Sequence, residues 1–282
     1  LDEEQIRAIQ KEYEYGKALE ARKEDIIRLI DEKGMLTKEL LEAINASNKL
    51  VELEDIYRPY KEKKKTKATE AIRMGLEPLA NFILTFPETA DLNEVASTYL
   101  NDEVKTAEEA LEGAGFIIAE LVSDNADYRK WIRKYTYDNG KIVTKIKKDA
   151  EDALKTYQNY YDYEEALVKI KLYRILAINR AEKEKILTVK IDCEIEPILT
   201  YLNKMVIGER QSIVNPLIEA ANLDAYKRLI SGSISREIRS DFTEQAENQA
   251  IHIFSENLPA LLLQPPLKGQ MVLGIDPAFR SG

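Results

Sequence analysis

Two basic runs and one carboxylate have the types and spacing to do chemistry. The run from Arg58 through Lys61, Lys63, Lys64 and Lys65 to Lys67 is the most basic short stretch of the chain. Clustered cations release counterions when they meet a nucleic-acid backbone, so this run is a candidate phosphate-contacting loop. A solvated linker between helical layers has the same composition. A second basic region holds Arg129, Lys130, Arg133, Lys134, Lys141, Lys145, Lys147 and Lys148, offset by Asp138, and leads into Tyr157, Tyr160, Tyr161 and Tyr163. Interleaved cations and rings are what a single-strand groove needs. Tyrosines at helical spacing also build packing seams whose hydroxyls reach the surface. The carboxylate is Asp276, which closes the apolar run that begins at Met271. The only histidine and the only cysteine, His252 and Cys193, supply neither a disulfide nor a zinc site of the usual ligand types, so no metal or other cofactor is expected. His252 falls at the edge of an apolar helix face, and Gly113-Ala114-Gly115 sits inside a capped helix, not after a strand as a phosphate loop would.

The elements that must position these residues are mostly helices. A proline-free run from Asp2 to Lys33, stopped by Gly34, places Ile6, Ile9, Tyr13, Ile26, Ile27 and Ile30 on one stripe. Thr37 caps a helix over 38–47, and a third piece over 49–57 ends before Pro59. Helical pattern returns over 68–84, broken at Gly75, and again over 92–100 behind Asp91. Thr106 and Glu109 form a capping box that opens a long helix, and a further helix runs from Asn125 to Tyr137. Residues 142–146 and 186–191 are the strand candidates and are expected to pair. Helices are expected over 164–184, 195–207 and 215–256, the last loosened at Ser231-Gly232-Ser233. Its buried face is traced by Ile234, Ile238, Phe242, Ala246, Ala250, Ile253 and Phe254.

The chain has 282 residues, a net charge of −9, 32% charged and 44% hydrophobic residues. An acidic total argues against a whole-surface nucleic-acid binder. No apolar run reaches 18 residues and no leader pattern opens the chain, so neither a membrane span nor a signal peptide is expected, and a reducing cytoplasm suits the cysteine usage. Leu1 is not an initiator methionine, and the run 271–276 is a lone strand, which is unstable without neighbours; the chain reads as a piece of a longer protein.

Several stretches together resemble the Tex family of bacterial transcription accessory proteins, which is related to a eukaryotic transcription elongation factor and histone chaperone. They are Leu53-Glu-Asp-Ile-Tyr-Arg-Pro-Tyr-Lys61, Gly75-Leu-Glu-Pro-Leu-Ala80, Tyr160-Tyr-Asp-Tyr163, Arg174-Ile-Leu-Ala-Ile-Asn-Arg180, Asp224-Ala-Tyr-Lys-Arg-Leu229, Ser235-Arg-Glu-Ile-Arg239 and Val272-Leu-Gly-Ile-Asp-Pro277. The resemblance implies an N-terminal helical region with a helix-turn-helix element, then a YqgF domain of the RuvC and ribonuclease-H type, helix-hairpin-helix elements and an oligonucleotide-binding barrel. On that pattern, residues 1–264 are the helical region, divisible into 1–105 and 106–264, and 265–282 are a linker with the first strand of the next domain. Ala278 replaces the family's usual glycine, and Ser281 replaces a commoner threonine.

The expected fold class is therefore mainly α: an elongated multi-helix scaffold with one small sheet or hairpin, ending at the first strand of an α/β ribonuclease-H-like domain. The expected function is that of a non-enzymatic scaffold in a transcription accessory protein whose full-length form binds RNA or single-stranded DNA, with no membrane partner. The candidate contacts are Arg58, Lys61, Lys63, Lys64, Lys65, Lys67, Arg133, Lys141, Lys145, Lys147 and Lys148. A second reading is a metal-dependent nuclease, because the resemblance puts Asp276 where ribonuclease-H-type enzymes hold their first metal carboxylate. That chemistry needs several converging carboxylates around two metal ions about 3.5–4 Å apart, and any partners of Asp276 would lie past Gly282. Asp276 is then a vestige of ancestry. A third reading is a protein-interaction platform for RNA polymerase.

Overall fold

A computed structural model describes residues 3–265 and 268–274. Helix α1 (Glu3–Asp31) ends at Gly34, whose positive φ of 66° suits a residue without a Cβ. Thr37 accepts a hydrogen bond from the Leu40 amide at 3.2 Å and opens α2 (Lys38–Ala46), after which α3 (Leu50–Tyr57) runs into a 3₁₀ turn at Arg58–Tyr60. These helices enclose their own small core of Leu19, Ile26, Ile30, Ile44, Leu53 and Tyr57.

The main core begins with α4 (Lys67–Arg73), α5 (Glu77–Ile83) and α6 (Leu92–Ser97), which lie against α7 (Ala107–Asp124). The expected capping box opens α7: the Glu109 amide donates to Thr106 at 3.1 Å and the Thr106 amide donates to the Glu109 carboxylate at 3.3 Å. Gly113 lets α7 approach Leu76 so closely that a Cβ there would collide with the leucine's Cδ1. Asn125 ends α7 and caps α8 (Ala126–Asn139).

A three-stranded antiparallel sheet follows, with β1 (Lys141–Ile146) central between β2 (Asp162–Ala166) and β3 (Leu187–Asp192). The expected pairing of 142–146 with 186–191 is present. The expected helix over 164–184 is not. Its first residues are β2, and the helix, α9, spans Leu172–Lys183. Asp162-Tyr-Glu-Glu-Ala166 carries strong helix formers, but as an edge strand it satisfies its backbone through β1, a tertiary gain that propensity does not show. The tyrosines before it are likewise a turn and a strand, not a helical seam. Tyr157 is buried with Ala181, Ile186 and Leu187; Tyr160 meets Tyr163 edge to face at 5.3 Å; and Tyr161 donates to Asp152 at 2.9 Å.

After α10 (Glu196–Val206), helix α11 (Asn215–Asp224) passes through a π-helical turn at Ala225–Ile230 into α12 (Ser231–Leu262). The irregularity thus sits just before Ser231-Gly232-Ser233 and not on it. Ser231 and Ser233 accommodate the helix by donating back to Lys227 and Ile230 carbonyls at 3.1 and 2.9 Å. Ile234, Ile238, Phe242 and Ala246 are buried as expected, whereas Ile253 and Phe254 are exposed: the packed face stops near Ala246. Ile6, Ile9 and Tyr13 are exposed too, so only the second half of the α1 stripe is core. Residues 271–274 are exposed and outside any strand, and Asp276 lies outside the described residues. The fold is mainly α with one small sheet.

Candidate nucleic-acid interface

Of the first basic run, Arg58 and Lys63 reach into the body, while Lys61, Lys64, Lys65 and Lys67 are exposed. Asp55, on α3 and almost fully buried, accepts from Arg129 Nε and Arg133 Nη2, each at 2.6 Å, and lies 3.9 Å from Arg58 Nε. Glu237 on α12 completes the network, accepting from Arg129 at 3.1 Å and from Arg133 Nε at 2.9 Å, while Ser233 accepts from Arg129 at 2.9 Å. Arg58 and Arg133, drawn from the two separate basic regions, therefore converge on one carboxylate. Burial, reinforced by Arg129, pushes the Arg58 guanidinium below its ordinary value. Burial also disfavours the Arg133 cation, but Asp55 and Glu237 outweigh it and raise its value. Arg129 Nη1 and Arg58 Nε are buried without a hydrogen-bond partner among the described residues.

Lys63 bridges α7 from the loop, pairing with Asp124 and, at 3.0 Å, with Glu120. Burial raises the Asp124 carboxyl above its ordinary value, with Lys63 opposing it. Lys61 lies 3.4 Å from Glu54 and Lys65 3.7 Å from Glu70. Lys67 sits over the Phe116 ring, 4.2 Å from its centroid. Lys64 is exposed and has no ion pair among the described residues. The loop is a clasp between the small core and the main one, with its cations largely answered by carboxylates of the same chain.

The second run is divided by the sheet. Lys141 and Lys145 share the outer face of β1, where the register sets them beside Asp162 and Glu164 on β2 and Lys190 and Asp192 on β3. Lys141 pairs with Glu164 at 2.8 Å. That face mixes both signs. Lys147 and Lys148 follow in the connection to β2, which also carries Asp149, Glu151 and Asp152. No membrane-length apolar helix and no cluster of three or more metal-ligating side chains occurs among the described residues.

The charge partners were not visible beforehand, because Asp55 and Arg129 are separated by 74 positions. An aromatic ladder was equally unforeseen. Trp131 stacks on Tyr201 at 3.8 Å and on Tyr135 at 5.2 Å, with Tyr128 edge-on to Tyr201 at 6.2 Å. The signal for it lay in Tyr128, Trp131 and Tyr135, at the i, i+3, i+7 spacing of one helix face. These rings pack against the main core and stack on one another, which leaves them as part of the α8–α10 seam.

A family model described as Tex central region-like matches residues 87–254, the larger part of the main core. The chain belongs to that family. Among curated relatives, it is 50% identical over 285 residues to the uncharacterized protein YdcI of Bacillus subtilis, covering all of this chain and 40% of YdcI. It is 30% identical to the transcriptional accessory protein Tex of Neisseria gonorrhoeae, covering 38% of that protein. It is 29% identical to the human S1 RNA-binding domain-containing protein 1, covering 30% of it. The chain thus spans well under half the length of the curated relatives it matches. The matched Tex central region begins after α1–α3, so the ion network centred on Asp55 joins the family core to a part outside that match.

Proposed function

We propose that this chain is the structural scaffold of a Tex-like transcription accessory protein, and that the full-length protein binds RNA or single-stranded DNA mainly through parts outside residues 1–282. The observation that carries the proposal is the inward pairing of the basic residues: Arg58, Lys63 and Arg133 hold helices together, and Lys141 is matched by Glu164 on a face of mixed sign. A cation already paired with a carboxylate must give up that partner to meet a phosphate, and the carboxylate left beside it repels the backbone, so it adds little to phosphate affinity. The names of two relatives, a transcriptional accessory protein and an S1 RNA-binding domain-containing protein, support the role of the whole. The scaffold performs no chemistry of its own on this reading.

The test is the salt dependence of binding by the full-length protein to a fluorescent single-stranded RNA. Binding is expected to weaken steeply between 50 and 200 mM salt, each phosphate contact contributing about 0.7 to the log–log slope. Replacing the least engaged candidates together, Lys64→Glu, Lys65→Glu, Lys145→Glu, Lys147→Glu and Lys148→Glu, is expected to change affinity by less than about threefold at 100 mM salt. A loss beyond about tenfold with an unchanged fold would place the binding surface in this region instead and overturn the scaffold reading.

A further inference from the structure

The last turns of α12 carry an unused apolar stripe. Ile251 (64% exposed), Phe254 (64%), Leu261 (63%) and Leu262 (71%), with half-buried Leu258 between them, recur at i, i+3, i+7, i+10 and i+11. At about 100° per residue these side chains share one face. Ile234, Ile238, Phe242 and Ala246, which pack α12 onto the main core, lie round the other side of the helix. From Glu247 onward almost every residue of α12 is exposed, so this end of the helix projects beyond the body that supports its beginning. An isolated helix of that length is marginal in water, and most helix stability in proteins comes from packing an amphipathic face. Pro259 within it removes one more backbone hydrogen bond.

We propose that this stripe is a docking surface for a helix of the same polypeptide, from the part of the full-length protein outside residues 1–282. Two observations commit it to that occupant. The three-and-four spacing is the one by which a helix seats its knobs between those of another helix, and it is too narrow and too regular to serve as an irregular ligand cleft. The curated relatives carry more than half their length outside the matched span, so the proposal rests on the same extra length in this protein and needs no second molecule. Glu244, just before the projecting end, pairs with Lys11 of α1 at 3.4 Å, so the supported part of α12 reaches at least this far. The docked helix would turn the projecting end of α12 into a shared strut between the main core and the remainder of the protein.

The experiment uses the full-length protein in a background from which every native cysteine, Cys193 included, has been replaced by serine, with single cysteines placed by Phe254→Cys, Leu261→Cys or Ile251→Cys, and by Glu256→Cys on the opposite face as a reference. Thiol labelling rates are measured alongside mass by light scattering. The expected result is a monomer in which the stripe cysteines label at least about tenfold more slowly than the Glu256→Cys reference. Labelling of all positions at the reference rate would show an unoccupied face and overturn the proposal. Protection that appears only with protein concentration and a doubled mass would assign the stripe to a second copy and overturn it equally. Because each replaced residue is exposed or half-buried, folding is expected to survive the substitutions; a circular dichroism spectrum checks each variant before labelling.

Discussion

The small core of α1–α3 and the large core built around α7 are held by different forces. The large one is a continuous apolar interior from Ala68 to Ala246, closed by helices and one face of the sheet. The small one contains six buried side chains and meets its neighbour through charge: Asp55 with Arg129 and Arg133, Lys63 with Asp124 and Glu120, and Glu52 with Lys130 at 3.3 Å. Apolar contact is non-directional and tolerates small shifts, whereas a buried guanidinium–carboxylate pair demands one geometry. The first force makes each body; the second fixes how the bodies sit together. A buried pair contributes little net stability over an apolar replacement of the same shape, but losing one partner is costly. The seam therefore specifies orientation more than it adds to the folding free energy.

The largest expected effect follows directly. Arg129→Met would leave Asp55 and Glu237 facing a buried gap, and a loss of about 3–5 kcal/mol in urea unfolding is expected. Replacing the partners as well, with Asp55→Leu, Glu237→Leu, Arg133→Met and Arg58→Met added to Arg129→Met, should recover much of it, since no buried charge of the network is then left unanswered. A cost below about 1 kcal/mol for the single variant would mean that the network is not what joins the two cores.

Cavity variants sharpen the contrast between the bodies. Ile118→Ala in the large core and Ile30→Ala in the small one both remove a fully buried side chain, and each is expected to cost about 2–5 kcal/mol within its own body. Their consequences should differ. Ile118→Ala is expected to lower one main transition, whereas Ile30→Ala is expected to split off an early transition, with hydrogen exchange accelerating in α1–α3 alone. Uniform exchange in Ile30→Ala would show that the seam couples the cores more tightly than its polar make-up implies. Thr106→Ala, which removes the cap of α7, is expected to cost about 1 kcal/mol, seen in the main transition only.

The same contrast explains what could be read from the residues in order. Caps at Thr37, Asp91 and Thr106, the stop at Gly34 and the pairing of residues 142–146 with 186–191 are local or periodic signals, and all appear. Asp162–Ala166 was misread because an edge strand takes its stability from β1, about twenty positions away. Ile253 and Phe254 were misread because periodicity reports an apolar face without saying whether anything covers it. The basic residues were legible as a cluster and illegible as a site, since their partners on α3, α7 and α12 come from distant stretches. Composition gives the charges, and only the fold says which of them are already spent on one another.

The smallest effect is also the most direct probe of the seam against the body it attaches. Glu54, within the α1–α3 unit, is half-exposed. Burial nudges its carboxyl upward, but the hydrogen bond from Arg22 at 2.7 Å and the charges of Arg22 and Lys61 overcome this and hold it below 4.5. A depressed carboxyl contributes stability above 4.5 that is lost as pH falls through the folded value. Asp124, at the seam, is shifted the other way: burial raises it above 3.8 despite Lys63. Its charged form is penalised in the folded state, so that penalty is present above the folded value and is relieved as pH falls through it. Acidification should therefore weaken the Glu54 contact while easing the strain at Asp124. Carboxyl carbon titration by NMR is expected to find Glu54 below the ordinary glutamate value and Asp124 above the ordinary aspartate value. Lys63→Met should move Asp124 further up and leave Glu54 in place. Solvent screening keeps the Glu54 contribution to about 0.5 kcal/mol or less, so Glu54→Gln should barely shift the unfolding midpoint at pH 7. An Asp124 that titrates below its ordinary value would mean that Lys63 outweighs burial, and the seam would then rank as a stabilising ion pair and not as an orienting one.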